Sequence, residues 1–411
     1  MRQYRDETIA EISPKVPDVP SELPLDLTSI PRQLLSEDEV RITEQAPEEL
    51  LSALASGQLT STAVTTAFLR RAGLAQHLTN CVTELLPSRA LARAAQLDAY
   101  LAQHKRPVGP LHGLPISVKE HVPMRGLDIN CAFVGYIGRY ADADATILEH
   151  LWAAGAVFYA RSTQPQTIMH LETSSNIYGT TVNPFNRLLT SGGSSGGEGA
   201  LLGLRASCLG IGTDIGGSIR NPAANCGVFG LRPTSYRLPM DGLGLSMAGV
   251  ESILCVIGPM STSLGGVKVF MKSIIDRQPW LIQPSCIPLP WRDGQSWLPR
   301  REDGSKRLKV AVLWDDGVVK PHPPVLRALR EVSEKLRASE NIEVVDWKPY
   351  KHDYAWEVIV SGAVSILRII GLMLVNMLVY SVLSGCGFRR SRSNGALWRT
   401  VAAIDDLDYQ G

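Results

Sequence analysis

Net charge, paired cysteines and metal-ligand spacing are what this 411-residue sequence has least of. Lys+Arg total 41 against 40 Asp+Glu, a formal net charge of +1. Such a chain has no basic field to draw nucleic acid, and none is expected as a partner. The seven cysteines, at 81, 131, 208, 226, 255, 286 and 386, are odd in number, scattered and never spaced C-x-x-C. A disulfide framework and a structural zinc site are therefore not expected, and a reducing compartment, the cytoplasm, fits. The eight histidines form no H-E-x-x-H or similar ligand pair, so neither a metal nor another cofactor is expected. The opening residues MRQYRDETIAEISPKVPDVP contain no apolar run, and no secretory leader is read there. With 45% hydrophobic and 20% charged residues, the chain is nonetheless of ordinary globular composition and long enough for a sizeable core.

What is present predicts an α/β fold. Residues 11–35 are rich in proline and polar side chains, and 1–35 reads as an extended N-terminal arm ahead of one domain over 36–411. Ser36 opens a capping box, S-E-D-E. Pro47 and Gly57 bracket a helix over 47–56. Thr60 or Ser61 caps another, with Val64, Phe68 and Leu69 at helical spacing, and an alanine-rich helix covers 88–103. ISVKE (116–120) reads as a short buried strand. Asp142 to Ala154 reads as a helix stopped by Gly155, before the strand AVFYARS. Further on, RLKVAVLWD and IEVVDW are strands on either side of an amphipathic helix over 323–338. This alternation implies a mixed or largely parallel sheet flanked by helices.

Two glycine–serine clusters stand out, SGGSSGGEGA at 191–200 and GTDIGGSIR at 212–220. A flexible linker would continue as polar sequence, but GEGALLGLRAS follows the first at once and reads as a helix. Neither cluster carries the lysine of a phosphate-binding loop, and the glycines of GIGTDIG fall at the wrong interval for a dinucleotide fingerprint. Gly192-x-Ser194-x-Gly196 satisfies an esterase nucleophile elbow, yet TTVNPFNRLLT before it is no apolar strand to feed one. Lys119 lies in the apolar stretch PISVKE. A lysine there either ends an edge strand and reaches solvent or is buried and neutral, able to serve as a base.

Together GPLHGLPISVKEHV (109–122), TTVNPFN (180–186), SGGSSGGEGALLG (191–203) and GIGTDIGGSIRNPAANCGVFGLRPT (210–234) resemble the amidase signature family, most of all its fungal acetamidases and general amidases. The resemblance implies the amidase-signature fold and hydrolysis of a small-molecule carboxylic acid amide to the acid and ammonia or an amine, through an acyl-enzyme. It implies a triad of Lys119, Ser194 and Ser218 and a cis peptide entering Ser194. Ser218 is then the nucleophile, Ser194 the proton bridge and neutral Lys119 the base. Backbone N–H groups of Ile215, Gly216, Gly217 and Ser218 are expected to face the oxyanion, with side chains at 216 and 217 absent to clear the carbonyl's approach. Ile168 falls where the family contacts substrate. Ser195, Thr213 and Asp214 are expected to hydrogen-bond around the triad, Arg220 to anchor its loop, and His121 to be a wall residue.

The alternatives are a G-x-S-x-G esterase, a transamidating subunit and an inactive partial amidase. The resemblance lapses over 358–394, where an apolar stretch from Val358 to Gly387 is interrupted by Arg368. That segment reads as foreign sequence from a faulty gene model, with a membrane anchor as the alternative, and the chain is expected to stop short of the family's usual length. A homodimer is left open, and the sequence does not name the amide.

Overall fold

The computed structural model describes residues 1–245, 253–293, 308–355 and 357–358. The apolar and atypical stretches at 358–387 and 358–394 lie, beyond Val358, outside the described residues. The chain divides into two compact units, Met1–Asp293 and Gly294–Gly411, where one domain from residue 36 is expected from sequence.

The first unit opens with five helices: α1 (Arg2–Ala10), α2 (Ile30–Leu34), α3 (Glu37–Thr43), α4 (Pro47–Ser56) and α5 (Ser61–Thr79). Strand β1 (Val82–Leu85), helix α6 (Pro87–His104), strand β2 (Pro115–Lys119), helix α7 (Thr146–Ala153) and strand β3 (Val157–Ser162) follow. A small hairpin, β4 (Ser174–Ser175) and β5 (Gly179–Thr180), leads to helix α8 (Gly196–Gly203), strand β6 (Leu209–Asp214) and helix α9 (Arg220–Asn225). Strands β7 (Phe229–Gly230) and β8 (Val256–Ser261) and helix α10 (Leu264–Ile275) complete it.

Local chemistry accounts for most of these boundaries. Ser36 accepts the Glu39 N–H while Glu39 returns a bond to the Ser36 N–H, the reciprocal capping expected of S-x-x-E. Thr60 caps α5 through the Ala63 N–H, and Gly57 ends α4 in the left-handed conformation. Helix α7 begins at Thr146 rather than Asp142, and Asp144 instead accepts the Arg125 N–H at 2.7 Å.

The N-terminal segment is not an extended arm. Residues 2–10 are helical, and Ile9, Ile12, Val16, Leu27 and Ile30 are buried. Ile9 and Val16 pack against Gly73 of α5, where a Cβ would lie 2.6 Å from Val16 Cγ2. Thr8 Oγ1 accepts the Leu85 N–H at 3.1 Å, tying α1 to β1. Apolar burial against α5 outweighs the local proline signal that reads as extended chain.

Six strands form one mixed sheet in the order β1-β3-β2-β6-β8-β7. The centre is parallel: β2 pairs with β3 (Lys119 opposite Ser162) and with β6 (Ser117 opposite Gly210). The outer pairings, β1 with β3 and β8 with both β6 and β7, are antiparallel. Every residue of β2, β3 and β6 is buried, as parallel strands covered on both faces require. Their carboxyl ends open together, the edge at which α/β sheets usually take their ligands.

The second unit, by itself, shows a parallel pair, β9 (Leu308–Val312) and β10 (Ile342–Asp346), joined through helix α11 (Pro323–Arg337). Among the described residues no helix is long and apolar enough to cross a membrane.

Candidate active site

Strand alternation decides where Lys119 goes. Ser117 and Lys119 share one face of β2, the face on which α8 lies, since Ser117 Oγ donates to Glu198 Oε2 at 2.6 Å. Lys119 is wholly buried, so the solvent-reaching edge lysine is excluded. Its Nζ lies 2.7 Å from Ser194 Oγ and 3.0 Å from Thr213 Oγ1. Among the described residues no carboxylate lies within ion-pair distance of it. The neighbouring Glu120 faces elsewhere, accepting the N–H groups of Asn130 at 2.8 Å and Cys131 at 3.1 Å. Burial without a counter-ion lowers the Lys119 amine to about 7, only partly opposed by Cys255, Asp214 and Glu198.

Ser194 is presented by the first glycine cluster. The Gly193–Ser194 peptide is cis, and Gly192 has φ +84°, a conformation suited to glycine. A Cβ at Gly192 would lie 2.7 Å from Pro222 Cα, and one at Gly197 would meet the Cys81 carbonyl at 2.5 Å and the Thr163 nitrogen. These glycines are there because backbone meets backbone. Glu198 is buried beneath, accepting Ser117 and Ser162 hydroxyls at 2.6 Å each. Burial raises its carboxyl to about 7, against those two bonds.

Ser195 joins the two clusters. Its N–H donates to the Ser218 carbonyl at 3.0 Å, and its hydroxyl bridges the Thr213 carbonyl and N–H at 3.3 Å. Asp214 then organises the second cluster, accepting N–H groups from Gly217 at 2.6 Å and Ile219 at 3.1 Å. Arg220 grips the same carboxylate with Nε at 2.9 Å and Nη2 at 3.0 Å. Burial alone would raise Asp214, but these bonds win and hold it at about 2.

This geometry corrects one expectation. The Gly217 N–H is taken by Asp214 and does not face an oxyanion. The N–H groups of Ile215, Gly216 and Ser218 have no acceptor among the described residues. The two glycines at 216 and 217 differ in their own backbone. A Cβ at Gly216 would meet nothing within 4 Å, whereas Gly217 has φ +134°. Only 217 needs glycine for its backbone.

Ser194, Thr213, Ile215 and Ser218 line one cavity of about 200 Å³. Ile168, Met169, Tyr236, Met240, Leu245 and Leu254 form an apolar part of its wall. Gln283 and Ser285 add further polar groups to its lining. Gln283 Oε1 accepts the N–H groups of Met240 at 2.7 Å and Asp241 at 3.0 Å, fixing that wall. The 236–285 contribution carries no motif, and sequence reading misses it. His121 also borders the cavity, but it is more than wall, since its Nε2 meets Thr213 Oγ1 at 2.8 Å. Among the described residues no histidine hydrogen-bonds to Ser194 or Ser218, and no cluster of His, Cys, Asp and Glu could hold a metal.

The profile described as Amidase matches residues 63–368, about three quarters of the chain. The chain belongs to the amidase family. It is 45% identical over 326 residues to the acetamidase of Emericella nidulans, spanning 79% of this chain and 59% of that one. The acetamidase of Aspergillus oryzae is 44% identical over 322 residues, 78% of this chain and 59% of the relative. A solved structure of fatty acid amide hydrolase superposes with a TM-score of 0.80 at 38% identity, covering 87% of this chain and 63% of that chain. A bacterial aryl acylamidase, 21% identical with a TM-score of 0.66, shares the fold. The amidase-signature fold expected from sequence is thus found, in a chain spanning about three fifths of the length of the acetamidases it matches.

Proposed function

We propose that this amidase-family chain hydrolyses a carboxylic acid amide through Ser218, Ser194 and Lys119. The observation that carries the reading is the wholly buried Lys119 amine, 2.7 Å from Ser194 Oγ in the wall of the cavity that Ser218 shares and without an ion-paired carboxylate among the described residues. An amine lowered to about 7 is largely unprotonated just above neutrality, which is what a base must be. Ser218 Oγ attacks the carbonyl carbon as its proton passes to Ser194 Oγ, whose own proton passes to Lys119 Nζ. The hydroxyl of Ser194 suits the relay because it both donates and accepts. The tetrahedral oxyanion is stabilised by the unclaimed N–H groups of Ile215, Gly216 and Ser218, each worth about 3 kcal/mol of barrier. Collapse breaks the C–N bond as the proton returns through Ser194 to the leaving nitrogen. Water then cleaves the Ser218 ester by the same relay, releasing the acid. No metal or cofactor enters any step.

The apolar wall of Ile168, Met169 and Leu254 favours amides with an apolar acyl or amine substituent. The esterase alternative needs a histidine on the serine, and His121 Nε2 is already engaged by Thr213. An inactive partial amidase is favoured by one fact, the 59% coverage of the acetamidases. One assay addresses all three: hydrolysis of a panel of aliphatic and aromatic amides by the 411-residue chain and by Lys119→Ala and Ser218→Ala. Turnover that falls about 10³-fold or more in both variants is expected. Full activity in Lys119→Ala sinks the mechanism, and no activity in the parent chain favours the partial-enzyme reading.

A further inference from the structure

His121 lies two residues beyond Lys119, just past the end of β2, and is buried. Its Nδ1 is 2.7 Å from the Gly244 carbonyl oxygen. A carbonyl only accepts, so Nδ1 carries the ring proton. The neutral ring then offers a bare Nε2, 2.8 Å from Thr213 Oγ1, and Thr213 must donate to it. Having given its one proton, Thr213 Oγ1 can only accept from Lys119 Nζ at 3.0 Å. A neutral amine has two N–H bonds and one lone pair. With one N–H committed to Thr213, one N–H and the lone pair remain, and the lone pair is unoccupied and open to the Ser194 proton at 2.7 Å.

We infer that His121 and Thr213 are positioning residues that set the polarity of the proton path, turning the Lys119 lone pair toward Ser194. The inference rests on the amide-hydrolase reading above. Were Thr213 free to rotate, its hydroxyl would donate to Lys119 and occupy the lone pair, leaving Lys119 to donate to Ser194, the wrong direction for a base. Burial and the adjoining Lys119 hold the imidazole down at about 3, so this arrangement does not switch near neutral pH. The other titratable neighbours of Lys119 are Cys255, Asp214, Glu198 and Cys131, and among the described residues none hydrogen-bonds to its Nζ. The Gly244 N–H returns a bond to the His121 carbonyl at 2.9 Å, so the partner that fixes the tautomer is itself fixed.

The test compares two pairs of full-length variants with Lys119→Ala as control. His121→Phe keeps a planar ring without an acceptor, and His121→Gln restores an acceptor near Nε2. Thr213→Val removes the hydroxyl, and Thr213→Ser restores it. His121→Phe and Thr213→Val should lower kcat about 10- to 100-fold with KM little changed, and should slow fluorophosphonate labelling of Ser218 by the same factor. His121→Gln and Thr213→Ser should recover most of that loss at equal folded fraction by active-site titration. Wild-type kcat in His121→Phe and Thr213→Val, with Lys119→Ala inactive, overturns this inference and leaves the triad standing. So does a loss in His121→Gln and Thr213→Ser as deep as in their partners, which marks packing alone. Activity in Lys119→Ala overturns the hydrolase reading and this inference with it. If His121→Phe fails to fold, the Thr213 pair decides.

Discussion

The two glycine–serine clusters look alike in sequence and differ in kind. In the first, Gly192, Gly196 and Gly197 are pressed against the chain on every side, and Ser194 and Ser195 are buried. In the second, Gly216 faces open space, and three N–H groups among the described residues are left unclaimed. One cluster is glycine because structure crowds it, and the other because backbone must stay available. A serine held in the first is fixed relative to Lys119 at 2.7 Å, while the second has N–H groups without an acceptor among the described residues.

That contrast can be broken in order of expected size. Gly197→Ala should destabilise the protein by about 3 kcal/mol or more, since its methyl group meets the Cys81 carbonyl and the Thr163 nitrogen; a denaturant midpoint near that of the parent refutes the crowding argument. Next comes pH. In the proposed mechanism Lys119 acts unprotonated, and burial lowers it to about 7, so kcat/KM should rise through that pH and then level off, falling tenfold per unit below it. Peptide N–H groups do not titrate, whereas Glu198 and Glu120 are raised to the same value, so the limb is required of Lys119 without being unique to it; a flat profile from pH 5 to 8 removes Lys119 as the base. Arg220→Ala opens the clasp on Asp214 at a side chain already half exposed, so about 1 kcal/mol is expected by thermal melting. Smallest is Gly216→Ala, within about 0.5 kcal/mol of the parent by the same measurement; a loss comparable to Gly197→Ala would erase the distinction.

How much of this was legible depends on how local each signal is. The caps at Ser36, Thr60 and Gly57, and the apolar runs of β2 and β3, are complete within a few residues, and those elements fall where the sequence reading puts them. Helix α1 is different. RQYRDETIA has almost no apolar period, and its helix is held by Arg5 on Asn80 and Thr8 on Leu85, partners far along the chain. Within the site, a lysine in an apolar strand and serines among glycines are conspicuous. The loss of the Gly217 N–H to Asp214 is not, because it depends on how a tight turn closes. The orientation of His121 depends on a carbonyl 123 residues away, which no spacing records.

The docking of α1 bears on how the molecule is made. Arg2 Nε donates to the Ile177 carbonyl at 2.6 Å, and Leu27 N–H to that of Pro184 at 2.8 Å. The residues of α1 thus reach the Ile177 carbonyl only after more than 170 later ones have been translated. Ile9 and Val16, which pack against Gly73, are unsheltered until α5 has been made, and the Ile177 and Pro184 contacts close later still, a cost of long-range topology.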